Sequence, residues 1–259
     1  MSRFFFLANF LPPLKVGEAP QISFKDLMAL YRENLSGSGW KKVQMLRFYI
    51  DIKNIERVLK SFPIDSRGVF NQKELEDALL YQRELPEFLL NFLRDFPSPS
   101  KQLDRFPKIL VLYFQEIEKK CRGLVQDYFR FERKWRVVFA GYRAKNLGVD
   151  LLSQLQDEEL SHPIVSEVLA QKDSPDFVFP IEFEDLDKRL TSIKDNPMEQ
   201  YRLVAEYQFD FIEEKMEQAP FSLDYFLGYL LQLLLVEDVD FLDGKKANSY
   251  LNEMMKDVI

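Results

Sequence analysis

Two stretches of the chain carry apolar residues at the spacing of a helix face. Within residues 129–148, Phe131, Trp135, Val138 and Tyr142 recur at intervals of four, three and four. That spacing places them on one side of a 3.6-residue period and predicts a long helix with a core-facing stripe. Glu132, Arg136 and Arg143 fall on a neighbouring stripe, with Phe139 between them, so charge is brought to the margin of the apolar face. The plain reading is an amphipathic helix with a solvated Glu132–Arg136 pair. Within residues 48–59, Phe48, Ile52, Ile55 and Leu59 make a second apolar stripe, with Arg47, Asp51 and Asn54 beside it. All eight apolar residues are expected to be buried. The two stretches share part of a pattern, but their polar stripes flank opposite sides and aligning the acids sets Asn54 against Trp135. This is too little to establish a repeat.

Helix-start signals recur along the rest of the chain, and alternating strand patterns do not. Ser23 with Asp26 opens a helix through Leu35, and Asn71 with Glu74 opens another through Tyr81, each a cap followed by an acid at the third position. Pro86, Pro175 and Pro197 sit where a first helical residue belongs, the last behind an Asn196 cap. Ser36-Gly37-Ser38-Gly39 reads as a loop. Pro220, Phe221 and Ser222 break a helix over 197–218 and cap another over 223–236, a helical hairpin. The predicted fold is all-α, in two to three helical subdomains: residues 1–96, 97–179 and 180–259, the first boundary falling at the Pro- and Ser-rich run after Phe96.

Composition sharpens this picture. The 259 residues can bury a real core. A content of 24 Phe against 9 Gly suits helices meeting along wide faces and argues against sandwiches or barrels built on glycine turns. A net charge of -7 disfavours nucleic acid as a direct partner. The local basic run of Arg130, Arg133, Lys134, Arg136, Arg143 and Lys145 is expected to be balanced by acids elsewhere. The single Cys121 excludes an internal disulfide and a multi-cysteine zinc site, and fits a reducing compartment. The apolar run at the N-terminus contains Asn9, ends at Pro12-Pro13 and lacks a small-residue cleavage site, so it fails as a signal sequence. The run over 225–236 contains Gln232 and falls short of the roughly 18 residues that span a bilayer. A soluble, cytoplasmic protein is expected.

Enzyme signatures are tested and fall short. The only histidine, His162, precedes Pro163 and is expected at the surface, so neither a triad nor a multi-histidine zinc site can be assembled. Gly37-Ser38-Gly39-Trp40-Lys41-Lys42 lacks the spacing and terminal hydroxyl of a phosphate loop. The acids Asp238, Asp240 and Asp243 before Gly244 imitate a calcium loop, but Ser249 stands where the bidentate Glu belongs, and an acidic loop after a helix is expected. No catalytic residue, cofactor or metal ligand is predicted, and the chain is read as a non-enzyme.

Several segments together resemble a known group. They are Phe-Leu-Ala-Asn-Phe-Leu-Pro-Pro-Leu at 6–14, Asp-Ile-Lys-Asn-Ile at 51–55, Phe-Arg-Phe-Glu leading from Glu132 to Arg136 and Arg143, and Phe-Ser-Leu-Asp-Tyr-Phe-Leu-Gly-Tyr-Leu-Leu-Gln-Leu from 221. The chain resembles an uncharacterised bacterial group associated with V-type ATPases, itself similar to the central-stalk C component of V/A-type rotary ATPases, called d in eukaryotes. The resemblance implies a funnel-like helical socket that binds no nucleotide. It would sit on the proteolipid ring and receive the rotor axle, subunits D and F, as the coupling part of proton or sodium transport, peripheral to the inner membrane. It leaves Glu132, Arg136 and Arg143 as candidates for either interhelical ties or the rotor contact. The other reading is a generic helical adaptor that binds a partner helix in an apolar groove.

Overall fold

A computed structural model describes residues 3–193 and 196–243 of the chain. Among these residues the regular structure is helical throughout, as the patterning predicts. In chain order the helices are α1 (Arg3–Phe10), α2 (Phe24–Asn34), α3 (Gly37–Leu59), α4 (Gln72–Tyr81), α5 (Glu87–Asp95), α6 (Pro99–Asp104) and α7 (Phe106–Lys120). There follow α8 (Leu124–Leu147), α9 (Leu151–Gln154), α10 (Pro163–Leu169), a 3-10 turn at Ile181–Phe183, α11 (Glu184–Ser192), α12 (Pro197–Glu217) and α13 (Leu223–Asp243).

The chain divides into two compact units. An inserted unit comprises Ser36–Arg133, and a terminal unit comprises the residues up to Leu35 and from Lys134 onward. The boundaries therefore differ from those expected at Phe96 and Phe179. The Pro- and Ser-rich run after Phe96 is a connection inside the inserted unit, where Gln102 donates to the Phe96 carbonyl at 2.8 Å and the Phe92 and Phe96 rings lie 4.9 Å apart.

In the inserted unit α3 packs against α4, α6 and α7, and α5 packs against α7. From Tyr49 to Ile55 only Lys53 is exposed, so α3 is buried on nearly every side, as befits a helix at the centre of its unit. Ile52 and Ile55 are buried as the stripe predicts, while Phe48 and Leu59 are half-buried toward its edge. The start of α3 corrects the loop expected at 36–39. Ser36 is the N-cap, its Oγ accepts from the Gly39 amide at 3.2 Å, and the helix runs from Gly37. Two glycines close together suggest a loop in sequence, but a serine cap satisfies the first amides and the helix proceeds.

In the terminal unit α12 and α13 form the expected hairpin, and α13 also packs on α2. Tyr31 of α2 donates to the Phe226 carbonyl at 2.6 Å, Glu237 accepts from the Phe24 amide at 2.7 Å, and Tyr229 donates to the Pro12 carbonyl at 2.7 Å. Helix α13 extends past Val236 to Asp243, which corrects the acidic loop expected there. Val239 and Leu242 return to the buried face three and six positions on, while Asp240 stays exposed. Gly244 and Ser249 lie outside the described residues.

The caps read from sequence are in place at Ser23, Asn71 and Asn196, and Asn71 with Glu74 forms a reciprocal capping box. Pro197 is the first residue of α12, and Pro86 stands one residue before α5. Pro175 opens no helix. Its segment runs irregularly and sets Phe177 and Phe179 against Tyr142 of α8, at ring separations of 6.3 and 5.3 Å. Phe177 needs Gly141 there, since a Cβ at 141 would stand 2.6 Å from both its ring and Val168. No helix among the described residues is long and apolar enough to cross a membrane.

Candidate functional site

The long helix expected over 129–148 is α8, begun earlier at Leu124. Phe131, Trp135 and Val138 are buried, and Tyr142 is half-buried. Burial is wider than one stripe: Phe129, Val137 and Phe139 are buried too, which a single amphipathic face does not anticipate. The three candidate residues of the charged stripe part company. Glu132 belongs to the inserted unit and is only 3% exposed. Arg136 and Arg143 belong to the terminal unit and are half-buried.

Glu132 is an interhelical tie. It accepts a hydrogen bond from the Tyr49 hydroxyl of α3 at 2.7 Å, inside a cluster where the Tyr49 ring stacks on Tyr113 at 5.6 Å and meets Phe129 edge-on at 5.1 Å. The solvated Glu132 of the plain reading is thereby corrected: burial of a carboxylate requires a donor, and Tyr49 supplies one. Replacing Tyr49 by Phe removes that donor and keeps the ring. The expected result is a loss of about 1–3 kcal/mol in urea unfolding, against almost no loss when the same change is made in a Glu132→Leu background. Equal losses in both backgrounds would show that the bond contributes nothing.

The basic run on this helix is dispersed. Arg130 pairs with Glu118 and Lys134 with Glu182, both at 2.8 Å, and Lys145 donates to the carbonyls of Lys172 and Ser174. Arg133 is buried.

A second polar group was only partly legible in the sequence. Arg47, Asp51 and Asn54 recur along α3 at helical spacing and engage the backbone of loop 64–70. Asp51, with no exposed surface, accepts from the Val69 amide at 2.8 Å and the Phe70 amide at 3.4 Å. Asn54 pairs both ways with the Asp65 backbone, accepting from its amide at 2.8 Å and donating to its carbonyl at 2.9 Å. Arg47 donates to the carbonyls of Arg67 and Gly68. Within the loop, Arg67 is paired with the Asp65 carboxylate at 2.6 Å.

Electrostatics follow from this packing. Burial pushes the Asp51 carboxyl up to about 6, against the opposing pull of the Val69 and Phe70 amides, Arg47 and Asn54. Burial acts in the same sense on Asp65, but the Arg67 side chain and amide outweigh it and hold that carboxyl below its usual range. Burial raises the Tyr113 hydroxyl well above the ordinary tyrosine value. Gly68 is required by closeness: a Cβ there would stand 2.1 Å from Asp51 Oδ1 and 3.1 Å from Asn54 Nδ2. The sequence clue to this arrangement is the polar series 47, 51 and 54 followed by a glycine at 68, which a search for surface stripes passes over.

His162 is half-buried at the N-cap position of α10. Among the described residues no cluster of His, Cys, Asp and Glu is arranged to hold a metal ion. The arrangement is one of helix-to-helix and helix-to-loop ties, in which Glu132 is bonded to a tyrosine and Arg47, Asp51 and Asn54 to loop backbone.

Comparison with known proteins corrects the expected family. A family model described as a protein of unknown function, DUF2764, matches residues 1–258. An uncharacterized protein of Chlamydia trachomatis serovar D is 28% identical across 100% of this chain and 99% of its own length. One from Chlamydia muridarum is 26% identical over the same shares, and one from Chlamydia pneumoniae is 33% identical over 82% of each chain. No solved structure matches. Neither the matching family nor these relatives carry the name of a V-type ATPase or of its central-stalk C component. Most of the residues in the segments that suggested that group lie on helices of the ordinary kind, α1, α3, α8 and α13. The chain belongs to the DUF2764 family.

Proposed function

We propose that this chain is a non-catalytic coupling subunit of a V-type ATPase, standing between the rotor axle subunits D and F and the membrane proteolipid ring. The reading rests on the use of polar groups and not on family membership. Glu132 is tied to Tyr49, the α3 polar series holds loop 64–70, and Tyr31 and Tyr229 anchor on backbone carbonyls. Side chains committed to fixing helices and loops suit a part that transmits force, since packed, fully bonded elements deform little. In this role the protein takes no nucleotide, metal or cofactor, and it works at the cytoplasmic face of the inner membrane, held there by protein contacts.

Affinity recovery from gently solubilised membranes tests the reading. Subunits D and F and the ring proteolipid are expected with the tagged protein. With Glu132 engaged in an interhelical tie, Arg136 and Arg143 remain the candidates for the rotor contact, and charge reversal at Arg143 is the test. Arg143→Glu is expected to abolish co-recovery while the circular dichroism spectrum and thermal transition stay unchanged; unfolding of the variant would instead make Arg143 a structural tie. A second reading, a helical adaptor for a partner helix, is favoured by the corner between α8 and α9, where Leu147, Val149 and Leu152 are 67%, 42% and 46% exposed. Recovery solely with partners unrelated to an ATPase would sink the coupling role and leave the adaptor.

A further inference from the structure

The α3 polar series does something an apolar helix face could not: it holds loop 64–70 by its backbone, through a charged group that water does not reach. We propose that loop 64–70 is a latch whose release is governed by the protonation state of Asp51. This holds whichever assembly the chain joins, and it goes beyond the coupling role.

The geometry sets what opening involves. Three side chains of α3 hold the loop, Asp51 the amides of Val69 and Phe70, Asn54 the backbone of Asp65, and Arg47 the carbonyls of Arg67 and Gly68, while at its start the Ile64 amide donates to Gln72 of α4 at 3.2 Å. Gly68 lies so near Asp51 that no water fits between them, a hypothetical Cβ already falling 2.1 Å from Oδ1. Closing the loop therefore strips Asp51 of solvent, and opening it returns the carboxyl to water. Opening also draws Phe70 away from Phe48, whose rings lie 6.4 Å apart, and bares the Arg47 guanidinium.

The two oxygens of Asp51 are not equivalent. Oδ2 takes the short bond from Val69 at 2.8 Å, and Oδ1 the long one from Phe70 at 3.4 Å. A proton placed on Oδ1 leaves the stronger bond intact, so the neutral acid keeps the latch closed without the burden of a desolvated charge. Among charged and titratable groups, Arg47 on its own helix and Tyr113 on α7 interact with Asp51, while in the loop Asp65 is paired with Arg67 and also feels Lys53. Tyr113 stays neutral throughout, and Asp65 is ionised and paired over the range in which Asp51 titrates.

The direction follows by linkage. Burial pushes the carboxyl up to about 6 in the closed loop, and a carboxyl returned to water by opening would take the ordinary value of 3.8. The closed form then binds the proton more tightly, so closure is firmest in acid and loosens as pH rises between those values. From pH 4 to pH 7 the opening equilibrium is expected to increase about fifty-fold.

Amide hydrogen exchange of the full-length chain, corrected for the intrinsic chemical rate, measures this. Val69 and Phe70 should show the rise in opening, and at every pH they should open more readily than the Leu46 amide at the middle of α3, which needs α3 itself to unfold. In Asp51→Asn, which cannot titrate, the opening of the loop should be independent of pH over the same range. A flat profile in the wild type overturns the proposal, and so does an opening of Val69 and Phe70 no more frequent than that of Leu46, since that reports global unfolding. Should Asp51→Asn fail to fold, a carbon-13 titration of the Asp51 carboxyl in the wild type decides: a midpoint near 6 supports the latch, and one at 4 or below overturns it.

Discussion

Trp135→Ala destabilises the terminal unit by about 3–5 kcal/mol, the range for removing a large aromatic from a core. Trp135 is 1% exposed and its ring lies 3.7 Å from that of Phe139, which in turn meets Phe179 edge-on at 6.3 Å. Truncation thus leaves a cavity beside a ring whose other neighbours are fixed, and collapse to fill it would require the 176–180 segment to leave its place on α8. The urea midpoint of the variant is the measurement. A midpoint equal to that of the wild type would mean that Trp135 contributes no core contact.

Gly68→Ala is the second large effect. The new methyl would overlap Asp51 Oδ1, and Asp51 cannot simply rotate aside because Val69 and Phe70 hold its carboxylate. Either that carboxylate gives up a buried amide or the loop moves off Arg47, and each route leaves a buried polar group unbonded. A loss of about 2–4 kcal/mol is expected from an unsatisfied buried group combined with overpacking. Ser66→Ala, on the exposed side of the same loop, serves as the control and should change stability by less than about 0.5 kcal/mol. If the two variants behave alike in chemical denaturation, the closeness of Gly68 to Asp51 has no energetic weight.

What could be read from the sequence was local. Ser23, Asn71 with Glu74, and Asn196 with Pro197 announce helices because a cap and its amide lie within three residues of each other. Trp135 and Val138 announce a core because helical period alone brings them together. Longer-range features were hidden. Glu132 looks like a surface acid until α3 delivers Tyr49, 83 residues away in sequence, to its carboxylate. Asp51 and Asn54 look like the wet margin of a stripe until loop 64–70 folds back and covers them. Asp238 and Asp240 read as loop residues because acids dominate the segment, although Val239 and Leu242 keep the helical beat. The family was misread for a related reason: amphipathic helices that obey the same packing rules look alike whatever assembly they serve.

The grip on loop 64–70 carries a consequence for divergence. Arg47, Asp51 and Asn54 address peptide groups, so they are indifferent to most of the side chains that the loop carries. Ser66, exposed to solvent, can drift through many residue types without loosening the grip, whereas position 68 admits no side chain at all. The shape of this loop can therefore outlast its spelling. Two chains could share the conformation with little identity across the segment, and the mark of kinship would be three spaced polar residues on a helix and one glycine beyond it.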